Sequence, residues 1–145
     1  MTTIFFVEDD TVVVQVYRAK LMREGFGVEV AEDGLVAVRM LAALKPDIVV
    51  LDLMMPKLNG VDVLRYIRST PTLKDTPVII LSNAHMTRLA QEAAAIGAER
   101  ALLKSSCTPS QLIAVINDLL SGKTVESDPS NRLGVRALPP TKPQS

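Results

Sequence analysis

Ile48-Val49-Val50-Leu51-Asp52-Leu53 runs four aliphatic side chains in succession and then sets a carboxylate before the next one. A strand with one face in water alternates apolar and polar residues. This stretch does not, so it reads as a strand covered on both faces, the kind that fills the middle of a parallel sheet. Asp52 is its anomaly. An unpaired carboxylate beside a core costs several kcal/mol, so chemistry explains the residue more readily than packing does.

Outward from there, the same short pattern recurs at Ile4 to Val7, at Val78 to Leu81 and, more weakly, at Ala101 to Leu103, with Val28 to Ala31 as a further strand. The intervening segments have helical spacing: Ala37, Met40, Leu41 and Leu44; Leu89, Ala93 and Ile96; Leu112, Val115, Ile116 and Leu119. Gly25 and Gly97 stand where helices end in a left-handed residue, and Asp33 where one begins. Thr108-Pro109-Ser110-Gln111 is a capping box with proline at the first helical position. Five strand-then-helix units follow one another at a repeat of about 25 residues. Right-handed crossovers fold such units into a parallel sheet with helices on both faces, a doubly wound α/β domain. After Leu120 the pattern stops. Residues 122–145 carry Pro129, Pro139, Pro140 and Pro143 with few apolar residues, so residues 1–121 are expected to fold and the rest to form a polar tail or linker.

Composition narrows the function. A chain of 145 residues, 48% of them hydrophobic, has material for one core and no room for a second folded domain. Sixteen basic and sixteen acidic side chains cancel, which argues against direct nucleic-acid or membrane binding. One cysteine, Cys107, and one histidine, His85, exclude an internal disulfide and a zinc cluster but leave room for a hard, oxygen-bound cation. The amino terminus has no signal-peptide pattern and no later run is long enough to span a bilayer, so the expected location is the cytoplasm.

In doubly wound sheets ligands bind beyond the carboxyl ends of the strands. The first strand delivers Glu8, Asp9 and Asp10 there, the third Asp52, the fourth Ser82 and the fifth Lys104. Carboxylates crowded on one rim repel by about 4 kcal/mol per pair at 4 Å and an effective dielectric near 20, so the rim calls for a cation. Magnesium suits it. A carboxylate beside magnesium and an ammonium group can attack phosphorus, because both cations stabilise charge on the transferring oxygens. Asp52 is then the acceptor and Lys104 the ammonium.

Val7-Glu8-Asp9-Asp10, Asp52-Leu53-Met54-Met55-Pro56 with Asn59-Gly60, Ser82 after an aliphatic strand, Gly97-Ala98, and Lys104 together resemble the receiver domain of two-component response regulators, over residues 3 to 121. The resemblance implies a flavodoxin-like sheet in the order 2-1-3-4-5. It implies magnesium bound by Asp9, Asp52 and the backbone carbonyl of Met54, with Glu8 acting mostly through water. It implies a phosphoryl group received from a sensor histidine kinase or histidine phosphotransfer protein, a switch through Ser82 and Lys104, and a downstream effector protein. The chain would receive the group rather than act as an enzyme. Asp10 is read as a helix cap, and His85 and Cys107 are assigned no role.

Five positions depart from the family's pattern. Ala101 replaces an aromatic residue, Ser105 replaces the proline after the lysine, Asn83 is larger than the usual Ala or Gly, and Met54 and Ala84 cannot orient an attacking water. A trans bond or a strained loop is expected after Lys104, since a non-proline cis bond costs about 3 kcal/mol. The competing reading is a pseudo-receiver that keeps the fold and binds partners without phosphate. An aspartyl-phosphate hydrolase would want a second acid where Met54 stands, and a flavin or dinucleotide site would want a glycine- or hydroxyl-rich loop where Glu8-Asp9-Asp10 stand.

Overall fold

The computed structural model describes residues 1–55, 57–83 and 87–122. Residues 123–145 of the expected tail, Pro56, Ala84 and His85 lie outside the described residues. The elements alternate as β1 (Thr3–Val7), α1 (Thr11–Arg23), β2 (Gly27–Ala31), α2 (Gly34–Leu41), β3 (Ile48–Asp52), α3 (Gly60–Ser69), β4 (Val78–Ser82), α4 (Thr87–Ile96), β5 (Arg100–Leu103) and α5 (Pro109–Ser121). All pairings are parallel and the strand order is β2-β1-β3-β4-β5. The expected doubly wound sheet is present.

Successive side chains of a strand point to opposite faces, and the two cores follow that parity. Phe5, Val7, Val49, Leu51 and Ile80 pack with α2, α3 and α4 on one face. Ile4, Phe6, Val50, Ile79 and Leu81 pack with α1 and α5 on the other. Every residue of β3 and β4 is buried, whereas β5 alternates between half-buried and exposed because it is an edge strand. That explains its weak signal.

The punctuation holds. Gly25 and Gly97 have φ of +95° and +121°, and Asp33 accepts from the Val36 amide at 2.8 Å to start α2. Asp10 caps α1 through the Val12 and Val13 amides at 3.0 and 3.3 Å. The Thr108 hydroxyl and Gln111 side chain close the capping box of α5. One boundary moves: α2 ends at Leu41, although the spacing ran on to Leu44. The Leu44 amide still reaches the Met40 carbonyl at 2.8 Å, but Pro46 follows, and the residue before a proline is pushed out of the helical region.

Two structural devices flank the sheet. At its amino end Arg68 donates to the carbonyls of Lys74, Thr76 and Gly97 at 3.0, 2.7 and 2.8 Å and to Glu99 Oε1 at 2.9 Å. Glu99 Oε1 also accepts the Val78 amide at 2.7 Å, so one guanidinium joins α3 to the starts of β4 and β5. At the carboxyl end Gly60 opens α3 against the acceptor strand, its amide donating to the Leu53 carbonyl at 2.9 Å. A Cβ there would lie 2.4 Å from the Asp52 carbonyl oxygen and 2.7 Å from Leu53 Cα, both backbone atoms that cannot swing aside. We expect Gly60→Ala to destabilise the fold by about 2 kcal/mol, the cost of overpacking a fixed contact, as read from urea unfolding midpoints.

Candidate functional site at the carboxyl rim

The parallel register decides what meets at the rim. Val7 lies beside Leu51 and Asp52 beside Leu81, so Glu8 and Asp9 emerge next to the carboxylate that ends β3. Ser82 lies beside Leu103, which brings the fourth and fifth strands to the same rim and leaves Lys104 as the first residue beyond it. Carboxylate oxygens of Glu8, Asp9 and Asp52 lie within 4.8 Å of one another. Lys104 Nζ is 2.9 Å from Glu8 Oε1 and 3.2 Å from Asp52 Oδ1.

Burial separates these acids. Glu8 and Asp52 are 1% and 2% exposed, Ser82 is 4% exposed, and Asp9 faces solvent. Glu8 Oε2 accepts the Asp10 amide at 3.1 Å, while Oε1 is buried with the Lys104 ion pair and no hydrogen bond of acceptable geometry. Asp52 Oδ1 also accepts the Met54 amide at 3.4 Å, and the Met54 side chain points into solvent. Desolvation pushes the Glu8 carboxyl up to about 7, with Lys104 opposing and Asp52 reinforcing the rise. Desolvation also raises the pKa of Asp52 despite Lys104. Burial alone would lower the Lys104 pKa, but its contacts with Glu8 and Asp52 outweigh it and hold the ammonium charged. One ammonium thus does not fully compensate the acids around it. Three carboxylates whose oxygens lie within 4.8 Å of one another, two of them buried and facing a single ammonium, form an all-oxygen donor set that fits a hard divalent cation such as magnesium.

Of the residues expected at the rim, Glu8, Asp9, Asp52 and Lys104 meet, Ser82 ends the neighbouring strand, and two features are added. Glu8, not Asp9, is the buried acid, and it pairs with Lys104. The Tyr17 hydroxyl donates to the Cys107 carbonyl just beyond the lysine. No sequence pattern announced that bond. The Lys104–Ser105 bond is trans, as expected without proline, and Lys104–Ser106 form a single 3-10 turn. Ala101 and Asn83 are exposed.

Comparison with known proteins decides the family. A family model described as "Response regulator receiver domain" matches residues 4–117. The chain belongs to that family. This receiver domain is therefore a module of two-component signal transduction, and its fold is shared with solved receivers. It is 30% identical to the receiver domain of the Francisella response regulator 1452, covering 83% of this chain and 98% of that one with a TM-score of 0.74. It is 25% identical to the receiver domain of the sensor histidine kinase PA1611 of Pseudomonas aeruginosa, solved with magnesium in its active-site cleft, covering 83% and 98% with a TM-score of 0.77. Over 79 residues it is 43% identical to the response regulator MprA of Mycobacterium avium, which covers 54% of this chain and 34% of the relative. The receiver domain thus spans about a third of that relative's length. Among the described residues, no helix is long and apolar enough to cross a membrane.

Proton competition gives a test with a definite sign. In the metal-free protein the Glu8 pKa stands above its ordinary 4.5, at about 7, so the folded state holds this proton more tightly than the unfolded chain does. Stability should fall as pH rises from 4.5 through about 7 in a chelator, and Glu8→Gln should flatten that limb. A cation held among these carboxylates would compete with that proton. Stabilisation by magnesium in calorimetric scans should therefore be larger at about pH 8 than at about pH 5.5.

Proposed function

We propose that Asp52 is the phosphoacceptor of this receiver domain. The observation that supports the reading is the meeting of Glu8, Asp9 and Asp52 within 4.8 Å, with Lys104 Nζ against the two buried acids. Asp9, Asp52 and the Met54 carbonyl would hold magnesium, with Glu8 contributing through water. Bound there, magnesium supplies positive charge beside the oxygens of the phosphoryl group in transfer.

The residues of the chain do the rest. An Asp52 carboxylate oxygen attacks phosphorus, an O–P bond forms, the N–P bond of a phosphohistidine breaks, and its electron pair stays on the imidazole nitrogen. Lys104 is placed to neutralise charge on the arriving oxygens. Glu8, Asp9 and Asp52 carry three negative charges when ionised, against three positive ones from magnesium and Lys104, so the unmodified site is balanced. Phosphorylation adds net negative charge and three acceptor oxygens, which draw the Ser82 hydroxyl and Lys104 inward and bias a two-state surface. The donor is a sensor histidine kinase or a histidine phosphotransfer protein, and the reader is a downstream effector protein. In this reading residues 1–121 form the receiver, residues 122–145 lead out of it, the location is the cytoplasm, and the chain receives a phosphoryl group without acting as an enzyme.

Acetyl phosphate with magnesium should add one phosphoryl group to the intact mass, and Asp52→Asn should abolish the gain. Binding of beryllofluoride with magnesium should disappear in the same variant. A wild-type chain that binds beryllofluoride no better than Asp52→Asn would mark it as a module that signals without phosphate. With Met54 two residues after the acceptor, no side chain at that position orients an attacking water, so the modified form should lose phosphate over far longer than seconds at room temperature. Asn83→Ala should be modified faster than the parent by acetyl phosphate, because the smaller residue opens the approach to Asp52.

A further inference from the structure

The lysine of this receiver is carried by an unusual strap. Lys104 opens the 3-10 turn that continues through Ser105 and Ser106 to Cys107, and Thr108 then caps α5. Both ends are fixed, since Leu103 pairs with Ser82 in the sheet and Thr108 sits in its capping box. The middle contains no proline to set φ, and the 3-10 turn has no side-chain cap. The Cys107 side chain packs against the core beneath, but the turn that carries the ammonium still needs a polar anchor if Lys104 is to stay on two buried acids.

Tyr17 supplies one. The residue is 6% exposed and its ring leans on Phe6, with centroids 5.6 Å apart and planes at 35°, within the core formed by α1, α5 and their strands. From that base its hydroxyl donates to the Cys107 carbonyl, 90 residues away in sequence. Helix α1 begins directly after the acids of the first strand, so one rigid element bears on both sides of the site. Burial first, and then Cys107, push the Tyr17 hydroxyl up to about 12, so it keeps its proton throughout the neutral range.

We propose that Tyr17 is a positioning residue for Lys104, its hydroxyl fixing the Lys104–Cys107 strap so that the ammonium is held where Asp52 receives the phosphoryl group. The inference rests on the reading of Asp52 given above. Tyr17 touches none of the reacting atoms and acts through the strap alone.

Tyr17→Phe keeps the ring and removes only the oxygen, so its effect can be measured on a folded chain. In the full chain it should weaken beryllofluoride binding at saturating magnesium by about three- to tenfold, what one hydrogen bond is worth. Affinity for magnesium alone should stay within about twofold, because the ligand carboxylates are not on the strap. In the metal-free protein the amide resonances of Lys104 to Thr108 should shift more than those of β1 or β3. Ile67→Val, a core change in α3 away from the strap, serves as the control for a general loss of stability and should leave beryllofluoride affinity at the parent value. If Tyr17→Phe binds beryllofluoride as tightly as the parent, or if Ile67→Val weakens it equally, the positioning role is overturned while the acceptor reading stands. If the parent binds none, the acceptor reading fails and the role of Tyr17 falls with it.

Discussion

Two carboxylates almost wholly removed from water face one ammonium group at the end of the fifth strand, and the rest of the rim is arranged around that shortage of positive charge. Glu8 and Asp52 could not both remain ionised at such burial without Lys104, yet Lys104 leaves the Glu8 carboxyl up at about 7. A site of this kind is unsaturated by design of its sequence: it holds enough cation to fold and too little to be electrostatically content. The deficit is what gives a divalent ion its place. It also makes the site sensitive to any group that adds or removes charge there.

Much of this was legible in the residues because the deciding signals are local. Unbroken apolar runs marked β1, β3 and β4, and caps such as Asp33 and Thr108 marked helix starts, since each depends on neighbours within a few positions. Where tertiary context intervenes the reading blurred. Proline 46 cut α2 short of its apolar spacing, and the edge position of β5 left its residues alternating in exposure and its pattern faint. Helices α1 and α3 were supplied by the repeat more than by their own spacing, although Val61, Val63, Leu64 and Ile67 are buried in α3.

At the site, strand ends predicted which side chains would gather, but not their depth. Glu8 and Asp9 are adjacent in sequence just beyond β1, yet Glu8 is enclosed and Asp9 is exposed, a difference that comes from tertiary packing and not from residue type. The link from Tyr17 to Cys107 joins positions far apart and leaves no periodic trace. The departures from the family's pattern are likewise physical. Ala101 is exposed on β5, the segment from Lys104 to Thr108 has no proline, and the Tyr17 hydroxyl of α1 bonds to the Cys107 carbonyl within it.

The clasp made by Arg68 bears on how such a molecule can move. One planar guanidinium with three carbonyls and a carboxylate around it pins the roots of β4, β5 and α3 together, opposite the charged rim. These three elements cannot part at that end without breaking four hydrogen bonds of a single side chain, so the foundation of this half of the sheet rests on one residue.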